Sequence, residues 1–551
     1  MGKLIVESRR VRKETFSFFF SFSILLLSLI LTLGCTSSDG GSGSDSSSTT
    51  TTDSYSLEGT LTYDYVPATS SYDALDYNNI TTKPIRGAKI KLIDNVTSST
   101  LATDVSSSSG TYLFSGISSS SVKLVIYAQM VTPSVIIEDN TNSDAVYGGI
   151  TAAINLETDS SYDANFSSGW SGSAASGSYS STRMAAPFAI LDDIYTSVAK
   201  FLSARPSISF PELKVNWSID NIASSGDKSD GNIGTSHWDG SELYILGKAD
   251  SDTDEYDTHI IVHEWGHYFQ SSLSRSDSIG GSHGVGDVLD PRLAFGEGWG
   301  NALSAMMLYP NVTYFDTTGT RQQSGFGHNL ESDSNSSNPG WFSERSVELI
   351  LFDLFDSDSD TNDTVSMGIG PLYDVMVGEQ KTTSSFTTLF SFISALKTAN
   401  PSSATAIDTV VNARGITTIA DAWGTGETHN GGLSTNLPVY NTLTIGSSLN
   451  VDLVGGYSSS TRNKLSNNRY LKFTGNGSTV AVTAQTSGGS GNNRDVALLV
   501  YKDGVLLGYS DSAYVGTETV SISTTSGSVY TIWVRDINTA SDNYTVTMGV
   551  N

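Results

Sequence analysis

His263-Glu264-Trp265-Gly266-His267 decides how the middle of this chain folds and what chemistry it can carry. Two histidines four residues apart stand one turn above each other on the same helix face, so both imidazoles can reach one ion. Zinc takes neutral nitrogen ligands at roughly 2.0–2.1 Å, and this pair offers two. Glu264 stands beside such an ion without ligating it, placed to take a proton from a water molecule there. With 7 His in 551 residues, chance gives such a pattern in on the order of one chain in a few hundred.

A catalytic zinc site needs a third protein ligand and an open position. The extended form HExxHxxGxxH would put Gly at 270 and His at 273; the chain has Gln270 and Leu273, which excludes that class. Thirty residues after His267, Glu297 is an isolated acid in the apolar, small-residue run Leu293-Ala294-Phe295-Gly296-Glu297-Gly298-Trp299-Gly300-Asn301-Ala302-Leu303. Buried carboxylates are rare unless paired or bound to metal. Gly296, Gly298 and Gly300 weaken a helix but let its backbone approach another element closely, as a ligand helix crossing the first would require. Asp287, Asp290 and His283 compete for the third position, and the helix-forming context ranks Glu297 ahead of them.

The pair HEWGH and GEGWGNA resembles the gluzincin clan of zinc metallopeptidases, the thermolysin and fungalysin type, over about a tenth of the chain. The wider stretch from Asp254 through His267, then Gly281-Ser282-His283 and Ala294 to Asn301, resembles a secreted bacterial branch of that clan. The resemblance implies His263, His267 and Glu297 as ligands of one catalytic zinc, Glu264 as general base, and a mixed sheet plus helical subdomain over about 182–437. Thermolysin-like enzymes brace the first His with an Asp one turn after the ligand Glu. Asn301 stands there instead and would accept from the imidazole N–H without charge. They also stabilise the transition state with a Tyr from the loop between second His and ligand Glu, and with a distant His. That loop has no Tyr here, which leaves His283 as its candidate, with His328 and Arg345 as substrate-binding candidates and Tyr373 and His429 further downstream. Glu242-Leu243-Tyr244-Ile245-Leu246 reads as a strand, and the resemblance makes it an exposed edge that pairs with extended substrate, adding Tyr244.

Asp250, Asp252, Asp254, Glu255 and Asp257 crowd the entrance to the first helix. A Ca2+ loop is one reading, although Glu255 replaces the Gly that an EF-hand turn requires; favourable charge at a helix N-terminus is the other.

A net charge of −27 argues against a nucleic-acid partner. Arg9, Arg10, Arg12 and Lys13 precede the uncharged run Phe16 to Leu33, which reads as a signal peptide over 1–34 in preference to a spanning anchor. Cys35, the single cysteine, follows Gly34 and resembles the acylated cysteine of a bacterial lipobox, although Thr32 and Leu33 depart from its usual residues. Residues 35–55 then form a lipidated Ser/Thr-rich tether, and Thr36 in place of Asp favours the outer membrane by the same resemblance.

The expected organisation is multidomain α+β. Residues 56–156 carry short strand patterns such as Ala88 to Leu92 and resemble a carboxypeptidase regulatory-like β-sandwich; 157–181 reads as a Gly/Ser linker. After the 182–437 catalytic unit, 438–551 returns to strands among Gly/Ser turns and resembles the pre-peptidase C-terminal β-sandwich. The chain is expected to be a monomeric, surface-anchored zinc endopeptidase acting on polypeptide. The competing readings are an inactive binding or adhesion protein on the same scaffold, against which an intact Glu264 argues, and a zinc hydrolase of a non-peptide substrate.

Overall fold

The computed structural model describes residues 3–7, 54–332, 337–356, 364–455, 462–486, 494–512, 516–537 and 543–551. The expected signal peptide beyond residue 7, Cys35 and nearly all of the tether lie outside the described residues; Lys3–Glu7 run antiparallel to Ala145–Ile150. No helix among the described residues is long and apolar enough to cross a membrane.

The fold is mixed α/β. One large sheet runs in the order Thr100–Val105, Ala88–Asp94, Ser121–Met130, Ala145–Ile150, Val135–Asp139, Leu213–Trp217, Leu243–Ile245, His237–Trp238. At its outer part alternation sets the faces: Ala88, Ile90 and Leu92 point inward between half-buried neighbours. Ser121–Met130 is buried along most of its length, as a strand covered on both faces must be. Val135–Asp139 and Leu243–Ile245 both run parallel to Leu213–Trp217, and His237–Trp238 closes the series antiparallel as an edge.

Helix α1 (Ala186–Ala204) carries Pro187 in its first turn, which the fixed φ of proline suits, and buries Phe188, Ile190, Ile194, Val198 and Phe201. It packs on the sheet and on α2 (Thr258–Leu273) and α3 (Pro291–Leu308). Asp290 caps α3 by accepting from the Arg292 N–H, with Pro291 at its first position. Ser343 caps α4 (Glu344–Phe355) through the Ser346 N–H at 3.3 Å. The glycines of α3 let the three helices meet closely. A Cβ on Gly298 would stand 2.6 Å from Val347 of α4, and one on Gly266 would stand 3.2 Å from the Gly300 Cα.

Two expected boundaries do not hold. Strands from 88–139 and strands from 213–245 share one sheet, so 56–156 is not a separate sandwich acting as a spacer. The segment expected as a linker is folded: Ala164–Phe166 pairs in parallel with Leu61–Tyr63, and Trp170–Ser171 pairs with Ser178–Tyr179. Its glycines and serines mask its aromatic residues. Phe166 fills the space over Gly149 and stacks on Phe188 at 4.9 Å, and Trp170 stacks on Tyr77 at 3.7 Å.

From Tyr440 onward two sheets, one of five strands and one of four, enclose a core that includes Leu453, Phe473, Val482, Leu498, Ile532 and Val546. The opposite face of the five-stranded sheet presents Tyr470, Leu499 and Trp533 to the main core, as strand alternation dictates.

Candidate metal centre

Helix α2 brings His263 and His267 together at 3.0 Å between their Nε2 atoms, and both lie 3.4 Å from Glu297 Oε2 on α3. The three potential ligand atoms lie within 4.8 Å of one another. His263 donates from Nδ1 to Asn301 Oδ1 at 2.7 Å, one turn past Glu297, which fixes the ring and turns its Nε2 toward the cluster. Gly300 makes this possible: a Cβ there would stand 2.8 Å from Nδ1 and Cε1 of the same ring.

Two imidazole nitrogens and one carboxylate oxygen, convergent and buried except for the partly exposed His267, suit zinc, and the residues present fit that ion. The local electrostatics agree. Burial pushes the Glu297 carboxyl up, yet the His267, His263 and His283 rings together hold it well below the usual range. Burial pushes His267 down, and Glu297 beside it outweighs that and raises it to about 9. The cluster thus favours positive charge at its centre.

Glu264 is buried at the cleft wall, with Oε2 accepting the Trp238 N–H at 2.9 Å and Oε1 3.9 Å from His263 Nε2. The edge strand therefore orients the carboxylate. The cleft has a volume of about 740 Å³ and is lined by both histidines, Glu264, Glu297, Asn301, His283, Arg345 and His328. His283 reaches in from the loop before α3, with Nε2 3.4 Å from Glu297 Oε2 and Nδ1 donating to Glu344 Oε2 at 2.7 Å. Burial lowers its pKa, and Glu344 and Glu297 more than offset this, so the ring is held above its ordinary value. Arg345 pairs with Glu348 at 2.9 Å, and His328 Nε2 lies 3.1 Å from the same carboxylate oxygen.

Other candidates lie elsewhere. Asp290 is engaged with Arg292 and Tyr470, and Asp287 with Lys464, so neither joins the cluster. Tyr244 does not line the cleft; it stacks on His237 at 5.4 Å with Lys228 over its ring. The expected edge assignment for 242–246 is corrected accordingly. The Ser236–Ser241 stretch folds back, held by the Asp239 carboxylate accepting from Ser241 and Glu242 N–H, and places His237–Trp238 outside Leu243–Ile245.

The sequence assigns no role at the site to Glu344 or Tyr314. Tyr314 stacks on His328 at 5.2 Å and sits 6.2 Å from the His263 ring, reaching the cleft from beyond α3 and not from the loop before it. Any signal for Glu344 lay in its position at the start of an amphipathic helix, which by itself only suggests favourable charge at an N-terminus.

The acidic run before α2 divides. Asp257 receives the Thr317 N–H and hydroxyl, Glu255 pairs with Arg183, and Asp250 accepts from the Arg321 N–H. Asp252 and Asp254 meet Asp316 with one oxygen each within 4.8 Å, a second group that could hold a metal ion.

No family model matches the chain, and no curated protein matches it. The pre-peptidase C-terminal domain of a collagenase from Bacillus anthracis is similar to 20% of this chain, over 94% of its own length, at 9% identity and TM-score 0.16. PliG, a periplasmic inhibitor of g-type lysozyme from Aeromonas hydrophila, is similar over 20% of this chain and 97% of its own, at 13% identity and TM-score 0.13. A β-glucosidase from Paenibacillus barengoltzii is similar over 20% of this chain and 12% of its own, at 16% identity and TM-score 0.13. At such scores these likenesses carry no argument about this chain.

Proposed function

We propose that this chain is a zinc-dependent endopeptidase of the bacterial cell envelope, hydrolysing peptide bonds of extracellular proteins. The observation that carries the reading is the convergence of His263, His267 and Glu297 in an open cleft with Glu264 beside them. Bound to those three residues, zinc supplies a Lewis acid that polarises a carbonyl and acidifies water.

The chain's own residues do the rest. Glu264, held through Oε2 by the Trp238 N–H, accepts a proton from the attacking water and passes it to the leaving amine. His283, oriented by Glu344, donates a hydrogen bond to the carbonyl oxygen as negative charge grows there. An extended polypeptide lies along the edge strand His237–Trp238, which ends the large sheet at the cleft wall and whose Trp238 N–H is given to Glu264. That edge favours a peptide over other hydrolysable substrates. Attachment to the envelope rests on the lipobox-like Cys35.

The test is Glu264→Gln, assayed on a generic protein substrate with and without chelator. The variant is expected to keep its zinc and its fold and to lose roughly 10²–10⁴-fold in turnover. Turnover near that of the wild type would contradict the mechanism.

A further inference from the structure

The loop that carries His283 leaves α2 at Ser274 and reaches Asp290 with almost no regular structure of its own. Gly280, Gly281 and Gly286 take positive φ values of 60°, 95° and 89°, so its path depends on what grips it from outside. Part of that grip is local: Asn338 Nδ2 donates to the Gly286 carbonyl at 2.8 Å, and the Leu289 N–H donates to Phe342 at 2.8 Å.

The carbonyls flanking His283 on its N-terminal side are held from the C-terminal sandwich. Asn463, fully buried, donates from Nδ2 to the Gly280 carbonyl at 3.1 Å and the Ser282 carbonyl at 2.9 Å. Lys464 Nζ reaches the Ser282 carbonyl at 3.3 Å and Asp287 Oδ2 at 2.8 Å. Backbone bonds continue the seam, from Asp290 N–H to the Asn463 carbonyl at 2.8 Å and from Leu465 N–H to Val288 at 3.1 Å. Next to it the buried Arg292 pairs with Asp290 and lies 3.9 Å from the Trp533 ring centroid and 5.1 Å from that of Tyr470, five residues before Glu297.

We infer that the C-terminal sandwich braces the loop that carries His283 into the metal cleft, with Asn463 and Lys464 as positioning residues that act through His283. The inference rests on the peptidase reading for its catalytic consequence, but the clamp itself does not. A peptide plane fixed at Ser282 determines where the next side chain can go, and His283 must meet Glu344 and Glu297 from one direction. The sandwich then braces the His283 loop from outside the cleft and is not merely an appended module.

The experiment uses the full-length chain with Asn463→Asp, which keeps the shape and removes both donors, and Lys464→Met, which keeps the stem and removes the charge. Hydrogen exchange is expected to quicken about tenfold at the amides of 280–288 in both variants while α2 and α3 stay protected. On a protein substrate, kcat is expected to fall about tenfold with KM little changed, and Lys464→Arg is expected to restore it. In a His283→Ala background the same two substitutions should cost nothing further, because their effect runs through that ring. Unchanged exchange at 280–288, or the same loss with and without His283, would overturn the inference. A wild type without peptidase activity would sink the proposed function instead, and the exchange result would still decide the clamp. Should Asn463→Asp fail to fold, the half-exposed salt bridge of Lys464 and Asp287 offers the milder variant for both readouts.

Discussion

Replacing Gly300 by alanine is expected to weaken zinc binding without touching a ligand. A Cβ there meets Nδ1 and Cε1 of His263 at 2.8 Å and Cγ at 3.1 Å. Ordinary carbon contacts begin near 3.5 Å, so the ring must retreat by about 0.7 Å. Metal–ligand distances tolerate about 0.2 Å, so a shift of that size displaces Nε2 from any position shared with His267 and Glu297. The same retreat strains the 2.7 Å bond from Nδ1 to Asn301. Loss of such an outer support typically costs about 10–100-fold in metal affinity, or about 1.4–2.7 kcal/mol, and direct displacement places Gly300→Ala at the upper end. The helix itself gains, since alanine is favoured over glycine in a helix interior by about 1 kcal/mol, so the fold is expected to persist. Zinc affinity would be read by competition with a chromophoric chelator and helicity by circular dichroism. Asn301→Ala calibrates the hydrogen bond alone. Gly296→Ala, whose Cβ would meet only the Ser278 side chain at 3.3 Å and Gln270 beyond it, serves as the control. Wild-type zinc affinity in a normally helical Gly300→Ala protein would refute the proposed ligand geometry.

Two further outcomes are expected. Cys35→Ser should move the protein from the membrane fraction to the soluble fraction; retention would make the apolar run at 16–33 a spanning anchor. Asp193, on α1, has its carboxyl lifted from 3.8 to about 7 by burial, with Asp192 adding to the shift and Lys83 and Arg86 opposing it. The unfolded chain releases this proton near pH 3.8 and the folded chain near 7, so the contribution of Asp193 to stability falls between those values by about 1.4 kcal/mol per pH unit. Asp193→Asn cannot ionise; it should match the wild type below pH 4 and exceed it by up to about 4 kcal/mol above pH 7 in urea unfolding. A pH-independent difference would remove Asp193 as the cause.

The metal cluster was legible because its signals are local. Two histidines one helical turn apart advertise a shared face, and an acid among glycines and apolar residues advertises both burial and close helix approach. The partners of that cluster were not legible, because they come from strands and loops distant in sequence. His283 finds Glu344 61 residues away, and no periodicity connects them. The strand that orients Glu264 is two residues long, too short for alternation to show, and stands outside the longer apolar strand that sequence pattern makes the natural edge. The domain boundary failed for a related reason. Pairing of Val135–Glu138 with Leu213–Asn216 is a tertiary choice spanning more than seventy residues, whereas the Gly/Ser composition between them signals only flexibility. The four aromatic residues Phe166, Trp170, Tyr179 and Tyr162 in that stretch were the counter-signal, since a solvated linker has no use for them.

The same packing divides the site's functions among separate contacts. Ligand positions depend on α2 meeting α3 at Gly266 and Gly300. The orientation of Glu264 depends on the edge strand through the Trp238 N–H, and that of His283 depends on α4 and on the sandwich seam. A disturbance at the glycine contact should therefore appear first as lost metal. One at the edge strand should appear as lost proton transfer and weaker substrate pairing, with metal retained. One at the Asn463 and Lys464 side chains should lower kcat alone, because the carbonyls they hold belong to the His283 loop and not to α2, α3 or the strand. Three contacts that fail in three distinguishable ways are what a cleft assembled from distant parts of the chain requires. If instead every such substitution removed metal, activity and substrate binding together, the cleft would be held by a single cooperative core, and no residue in it could be given a role of its own.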